Sequence, residues 1–410
     1  MKALERQQKF DAKSSDSRPK ETPKISIGAN GFSAGSADSN FVFQLHGLLQ
    51  VDNHTFFNDG GIQGNDGFLL RKARPIFQGT VYRDFDFMFV PDFGGSSAVI
   101  QDAYLNYRFK PWLQLRAGKF KTPVGLEELQ SDSATFFNER ALPTTLLPNR
   151  DIGFQLWGNV ADGRLSYAAG VFNGVGDGRS TGNSDFEDHR EIAARVFLQP
   201  FQNFSNALDG LGFGLGGTWG KFSPNAGGLP GSYSTDGQEI YFSYTNGVVA
   251  DGEHWRLSPQ VCYYFGPLGI LGEYAISDQR VIKGASSADL RNTAWQIAVG
   301  WTLTGEDASY KGIAPKHPFD PGANQWGAFQ LVARYAELDV DDAAFPIYAN
   351  PATFASDARA WAIGLNWYLN KNIRFNTSFS RTTFSGGGGP KATVTRRPEE
   401  ILFTRLQLAF

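Results

Sequence analysis

The chain has a single cysteine, Cys262, so it can form neither an internal disulfide nor a cysteine-rich metal site. Its five histidines (His46, His54, His189, His254 and His317) carry none of the spacings that metal ligands adopt. No run of about 18 uninterrupted apolar residues occurs, which excludes a helical membrane span. Positive charge is not in excess. Lysine and arginine number 38 against 41 acidic residues, so no bulk basic field points to nucleic acid. No internal repeat of fixed length is present, which argues against a propeller or solenoid. No nucleophile motif appears, and the glycines of the stretch 210–217 fall on one face of a strand rather than in a phosphate-cradling loop. These absences point to no enzyme, no cofactor and no metal. What is abundant is aromatic: 14% of residues, including 35 phenylalanines, which is incompatible with disorder. Soluble β architectures and transmembrane β-barrels remain.

Residues 1–24 hold 11 charged side chains and no apolar h-region, so they are not a secretory signal. Either a signal has been removed or the chain is cytoplasmic; the first is the expectation if the rest of the chain reads as an exported protein. Pro19 and Pro23 oppose a long helix at 18–24. Residues 1–40 therefore read as a polar periplasmic arm, with a short helix at 2–13 and short extended pieces at 25–40.

From Phe41 onward the pattern has period 2. Strand geometry sends alternate side chains to opposite faces. Leu402, Thr404, Leu406, Leu408 and Phe410 share one face, and Arg405 and Gln407 the other. Trp361, Ile363, Leu365 and Trp367 oppose Gly364, Asn366 and Tyr368 in the same way. Sixteen such segments occur: 41–52, 68–82, 84–92, 99–109, 112–120, 151–159, 164–173, 188–199, 211–221, 254–265, 268–278, 291–303, 325–338, 358–369, 372–384 and 399–410. A seventeenth candidate, 239–244, is short and sits inside a long loop. Tight turns or medium connections alternate strictly with long loops at 53–67, 93–98, 121–150, 174–187, 222–253, 279–290, 339–357 and 385–398. Short turns at one end and long loops at the other mark a bacterial outer-membrane barrel, which takes an even strand number. The predicted fold is all-β: a 16-stranded antiparallel transmembrane β-barrel over 41–410, with both ends in the periplasm. A barrel of that size holds a water-filled lumen.

Alternation predicts the lumen wall. Lys72, Arg74, Arg116, Arg334 and Arg405 fall on the polar face, with Arg108, Arg195 and Arg256; Asp84, Asp86, Asp102, Glu191 and Glu273 join them. Arginine suits oxyanions because its planar fork stays charged and donates bidentately. Rings of such cations favour anion passage, while the plainer reading is a salt-bridge network stiffening the wall. The 121–150 loop is long enough to be functional. It is expected to fold inward as a constriction, bringing Lys121, Arg140 and the acids Glu127 and Glu128.

The chain resembles the phosphate-selective porins, the porin O and P family. The resemblance rests on Thr80–Phe87, Gly118–Glu127, Asn138-Glu139-Arg140, Asp151–Gly158, Trp301–Glu306, Gly364–Tyr368 and the closing Arg405–Phe410. It implies a homotrimer of 16-stranded barrels with inward loops and an arginine ladder leading anions to a lysine-lined constriction. It adds Arg71 beside Lys72 as a basic pair, Arg140 as the constriction arginine, and Lys311 in the long periplasmic turn. Lys119 and Lys121 lie in the matching Gly118–Glu127 stretch. Three departures stand out. The phosphate-binding members carry a lysine where this chain has Glu128, their fifth loop is arginine-rich where 222–238 has none, and a later lysine is here Asp320. The fold carries over; strong phosphate selectivity does not.

The expected function is passive diffusion of small hydrophilic solutes, chiefly anions and among them phosphate or pyrophosphate. The expected surroundings are outer-membrane lipid and lipopolysaccharide. The competing expectation is a structural or adhesive barrel with a plugged lumen. Deleting residues 126–146 should raise single-channel conductance in a planar bilayer; unchanged conductance would show that the loop does not narrow the pore.

Overall fold

The computed structural model describes residues 22–57, 64–182, 189–204, 206–223, 230–389 and 394–410. The helix expected at 2–13 and most of the polar segment 1–24 lie outside the described residues. β1 (Lys24–Gly28) and β2 (Gly31–Gly35) form a hairpin where short extended pieces were expected. Then follow β3 (Val42–Phe56), β4 (Gly67–Val81), β5 (Phe85–Asp92), β6 (Val99–Lys110), β7 (Leu113–Lys121) and β8 (Arg150–Val160). β9 (Leu165–Phe172), β10 (Glu191–Leu198) and β11 (Leu211–Phe222) continue the wall. β12 (Ser232–Ser234) and β13 (Ile240–Ser243) pair only with each other. The wall resumes with β14 (Val249–Phe265), β15 (Leu268–Lys283), β16 (Ser286–Thr302), β17 (Ala328–Asp339), β18 (Ala355–Tyr368), β19 (Ile373–Gly386) and β20 (Glu399–Ala409).

Each wall strand pairs antiparallel with the next, β11 passes directly to β14, and β20 returns to pair with β3. The result is a closed barrel of sixteen strands. The segment 239–244 contains β13, a strand that lies outside the wall. β2 pairs with the start of β3, from Phe32↔Leu45 to Gly35↔Val42, while β20 occupies the same edge further along, from Leu48↔Ala409 onward. The hairpin therefore extends the wall beyond the end of β20 at the short-turn end.

The two faces separate as the alternation requires. On β3, Gln50, Asp52 and His54 are buried inside while Leu49 and Val51 are exposed outside. On β19, Arg374, Asn376, Ser378 and Ser380 are buried. Outer aromatics gather toward the short-turn end, with Phe85 stacked on Tyr107 at 4.9 Å and Phe329 on Trp367 at 5.7 Å. Tyr107 and Trp367, apolar in body and polar at one edge, suit the headgroup level.

One expected long loop is corrected. Residues 279–290 are strand, because β15 and β16 run on to Lys283 and Ser286 and turn at Gly284 with φ +60°. Val281 and Leu290 continue the inward period and are fully buried. Charged Arg280, Asp289 and Arg291 on this stretch mask that period in the sequence.

The lumen is filled on one side. Val124, Leu142, Leu146 and Leu147 of the 121–150 loop cluster with Tyr233 and Phe242 of the β12–β13 hairpin and with Tyr348 of the β17–β18 loop. They pack on Ala275, Ala294, Ala336, Ala358 and Ala360 of the wall. Alanine has no side chain beyond Cβ, so loop backbone can approach closely there. Gly216 makes the tightest of these approaches: a Cβ added to it would lie 2.5 Å from the Val124 carbonyl oxygen. Gly216→Val should push the loop off the wall and cost about 1–3 kcal/mol, as overpacking does. Its heat-induced unfolding, read by gel mobility, should begin at lower temperature than in the wild type; an equal midpoint would rule the contact unimportant.

Candidate functional site

The site is built where β4, β7 and the 121–150 loop meet. β4 carries a bulge: Gln50 pairs with Lys72 and Val51 with Leu70, so Arg71 is the extra residue. A bulge re-aims one side chain, and here it lets Arg71 and Lys72, adjacent in sequence, both serve the interior. Arg71 grips Glu139 bidentately at 2.7 and 2.8 Å.

The loop is held by its own charges and by the wall. Its α-helical turn, Leu126–Leu129, presents two backbone N–H groups to the Glu273 carboxylate on β15, at 2.6 and 3.3 Å. Lys121 Nζ donates to the carbonyls of Glu128 and Gln130 at 2.6 and 2.8 Å. Arg140 donates to the carbonyls of Glu127 and Gln130, both at 3.0 Å, and lies 3.5 Å from the Glu128 carboxylate. On the far side, Arg405 pairs bidentately with Asp52 at 2.6 Å and donates to the Asn138 carbonyl at 2.7 Å. Arg334 donates to the Glu139 carbonyl at 2.8 Å and pairs with Asp236 of the β11–β14 connection at 2.7 Å. From the short-turn end, Tyr310 Oη donates to the Leu126 carbonyl and the Tyr310 carbonyl accepts from Gln130 Nε2 at 2.8 Å. The loop is thus clamped from above, below and across.

Two cavities flank it. The one toward the short-turn end is about 680 Å³ and is lined by Arg74, Arg116, Lys121, Arg150 and Arg195 among aromatic walls. The one toward the long-loop end is about 340 Å³ and includes Arg71, Lys72, Glu128, Glu139 and Arg140. Asp132 lines both. Its carboxylate is ion-paired with Lys72 at 3.1 Å, with Arg140 at 2.6 Å and with Arg74.

Of the residues singled out in the sequence, Arg71, Lys72, Arg74, Arg116, Lys121 and Arg140 line these cavities. Arg116 stacks on Tyr104 and Trp157 at 4.4 and 5.0 Å, and no ion pair holds it among the described residues. Arg334 and Arg405 are buried against the loop instead. Lys119 Nζ donates to the carbonyls of Thr181 and Gly182. Lys311 is exposed on the long connection between β16 and β17. The two acids divide. Glu128 faces the smaller cavity, while Glu127 turns to the wall, accepting from Ala141 N and Gln296 Nε2 at 2.9 and 2.8 Å. Sequence reasoning passed over Asp132 and Arg150. Asp132 stands between two serines; the fold of its own loop brings Arg140 to it, and only the closed barrel brings Lys72 and Arg74. Arg150 pairs with Asp102 at 3.2 Å across three strands, which strand alternation alone does not reveal.

The loop carboxylates feel these cations. Burial by itself would raise the Glu139 carboxyl, but Arg71, with Arg405 and Lys72, holds it down at about 2. Asp132 is held well below the usual carboxylate range against the same burial, by Lys72, Arg140, Lys121 and Arg74. Asp177, beside Arg256 at 2.8 Å, is likewise held at about 2 despite burial.

The model of the phosphate-selective porin O and P family matches residues 43–410. Porin O of Pseudomonas aeruginosa is 26% identical over 387 residues, spanning 85% of this chain and 84% of its own. The outer membrane channel DcaP of Acinetobacter baumannii superposes with a TM-score of 0.59 at 12% identity, covering 90% of this chain and 98% of that one. The anion-selective porin from Comamonas acidovorans gives 0.58 at 11%, covering 90% of this chain and all of its own. The trimer form of OmpT from Vibrio cholerae gives 0.54 at 11%, covering 90% and 99%. Family match, closed barrel and apolar outer belt agree, and this outer-membrane porin belongs to the phosphate-selective porin O and P family.

Proposed function

We propose that the chain passes small anions by passive diffusion, phosphate or pyrophosphate among them, through a lumen that the 121–150 loop narrows, and that it carries no catalytic activity. The observation that carries this reading is a run of cations through both cavities: Arg71 and Lys72 at the long-loop side, Arg74, Lys121 and Arg140 at the junction, and Arg116 and Arg195 beyond it. Arg116 and Arg195 have no carboxylate within ion-pair distance among the described residues, so their charge is offered to the lumen. Guanidinium groups hold that charge at every physiological pH. Glu128 lies where phosphate-binding relatives carry lysine, and Arg140 only partly offsets it. Weak anion preference fits this balance better than tight phosphate capture. Lys311, exposed on the β16–β17 connection, is assigned to the approach from the periplasm. The trimeric form of OmpT supports assembly of this chain as a homotrimer, with outer-membrane lipid and lipopolysaccharide against its apolar belt.

Reversal potentials in a planar bilayer under a KCl gradient should show chloride preferred over potassium. Arg116→Glu should reduce that preference several-fold, and cation selectivity of the wild type would refute the reading. A pore closed to ions altogether would favour the adhesive barrel instead.

The charge clamp also sets a pH window. Glu139 and Asp177 have folded-state pKa values below the ordinary carboxylate value of about 4. Their contribution is therefore present at neutral pH and is lost as pH falls from about 4 toward about 2. Pepsin should leave the Phe136-Phe137 bond intact near pH 4 and cut it progressively as pH approaches 2. Equal cleavage across that range would show that the Glu139 carboxylate does not hold the loop.

A further inference from the structure

Asp132 has an unusual position for a carboxylate in a pore lined by cations. It is buried, and it is the residue common to the two cavities among the described residues. Three cations converge on it from two parts of the chain: Lys72 and Arg74 from β4, and Arg140 from its own loop. Oδ1 contacts Lys72 and Arg140 through charge, without an aligned hydrogen bond, while Oδ2 accepts from Arg74. Two of the three cations do not depend on Asp132 alone. Arg74 is held by Asp92 at 2.6 Å, and Arg140 by the carbonyls of Glu127 and Gln130. The backbone at Asp132 is fixed as well, because Gln50 Nε2 donates to its carbonyl at 3.1 Å and Gln407 Nε2 to that of Ser133 at 3.1 Å. Rotation of one side chain would vacate the cluster and leave its donors in place. What would remain is a preformed site for a small oxyanion.

We infer that the Asp132 carboxylate is a tethered anion occupying the oxyanion site at the junction of the cavities, and that a permeating anion crosses by displacing it. This rests on the anion-channel reading above. The physics is intramolecular competition. A ligand attached to its own site acts at a high effective concentration, in the millimolar range or above for a short tether. A free anion must out-compete it, so residence at the junction is short and the pore does not trap what it conducts. The same competition gives the cations of this chain a weak hold on phosphate. Asp132 is thus a specificity-determining residue, and it acts by occupying the site rather than by repelling from a distance.

Asp132→Asn keeps the side-chain shape and removes the charge; Asp132→Ala empties the position. In planar bilayers, phosphate should block chloride current through either variant at a concentration about tenfold lower than in the wild type, since the competitor is gone. Formate, a free carboxylate small enough for the vacated position, should raise the unfolding temperature of Asp132→Ala and leave the wild type unchanged. Equal phosphate block in wild type and variants, with no formate effect, overturns the inference while the wild type remains anion-selective. Cation selectivity of the wild type overturns the anion-channel reading itself, and this inference with it. Should Asp132→Ala not fold in buffer, refolding yield with and without formate decides the matter instead: rescue supports the tethered anion, and no rescue refutes it.

Discussion

Hydrocarbon offers no water to an unpaired strand edge, so β3 must find β20 and every backbone group between them must find a neighbour. Closure is the condition from which the rest of this structure follows. Once the sheet closes, each strand has a lipid face and an inner face, and its period-2 pattern has to serve both. The outer face carries Leu49, Val51, Ile363 and Leu406; the inner face carries Asp52, Asn366, Asn376 and Arg405. Polar groups that would be costly in lipid are thereby concentrated inside, where water, loops or each other can satisfy them.

The interior solves this in two ways. Toward β14–β18 the wall is alanine-rich and takes up the 121–150 loop, the β12–β13 hairpin and the β17–β18 loop as an apolar core. Elsewhere charges meet across strands and loops: Arg405 with Asp52, Arg334 with Asp236, Arg256 with Asp177 and Glu191. Buried pairs of this kind are no guarantee of net stability, because both ions lose their water. Breaking one is another matter, since it leaves a charge uncompensated, at a typical cost of about 3–5 kcal/mol. Such pairs therefore fix where the loop lies, and so where the lumen remains open. The salt-bridge network and the cations that line the cavities overlap: Arg71, Lys72 and Arg74 line a cavity while paired with Glu139 or Asp132, whereas Arg116 has no ion pair among the described residues.

That division explains what could be read from the sequence. Alternation found all sixteen wall strands because one face of each meets lipid, and lipid enforces the pattern. It failed at 279–290, where the strands rise beyond the belt, charged side chains interrupt the outer face, and the inward Val281 and Leu290 meet loops rather than water. It assigned Lys72, Arg74 and Arg116 to the inner face, and in the fold they line the two cavities. It could not show that Arg71 joins them, since that needs the bulge opposite Gln50 and Val51. Nor could it separate Arg334 and Arg405, which clamp the loop, from Arg116, which faces the larger cavity.

The amino-acid sequence by itself determined the closed barrel, its strand number and the side of each strand that faces lipid. Those follow from a local period read against one uniform solvent. The tertiary structure decided which charges remain available. Glu127 turns to the wall, Glu128 to the smaller cavity and Asp132 to the centre of three cations, although all three lie within one six-residue stretch. Their directions depend on Gln296, Arg140 and Lys72, partners distant in sequence or on the other side of a loop turn, and only closure of the sheet brings the distant ones within reach.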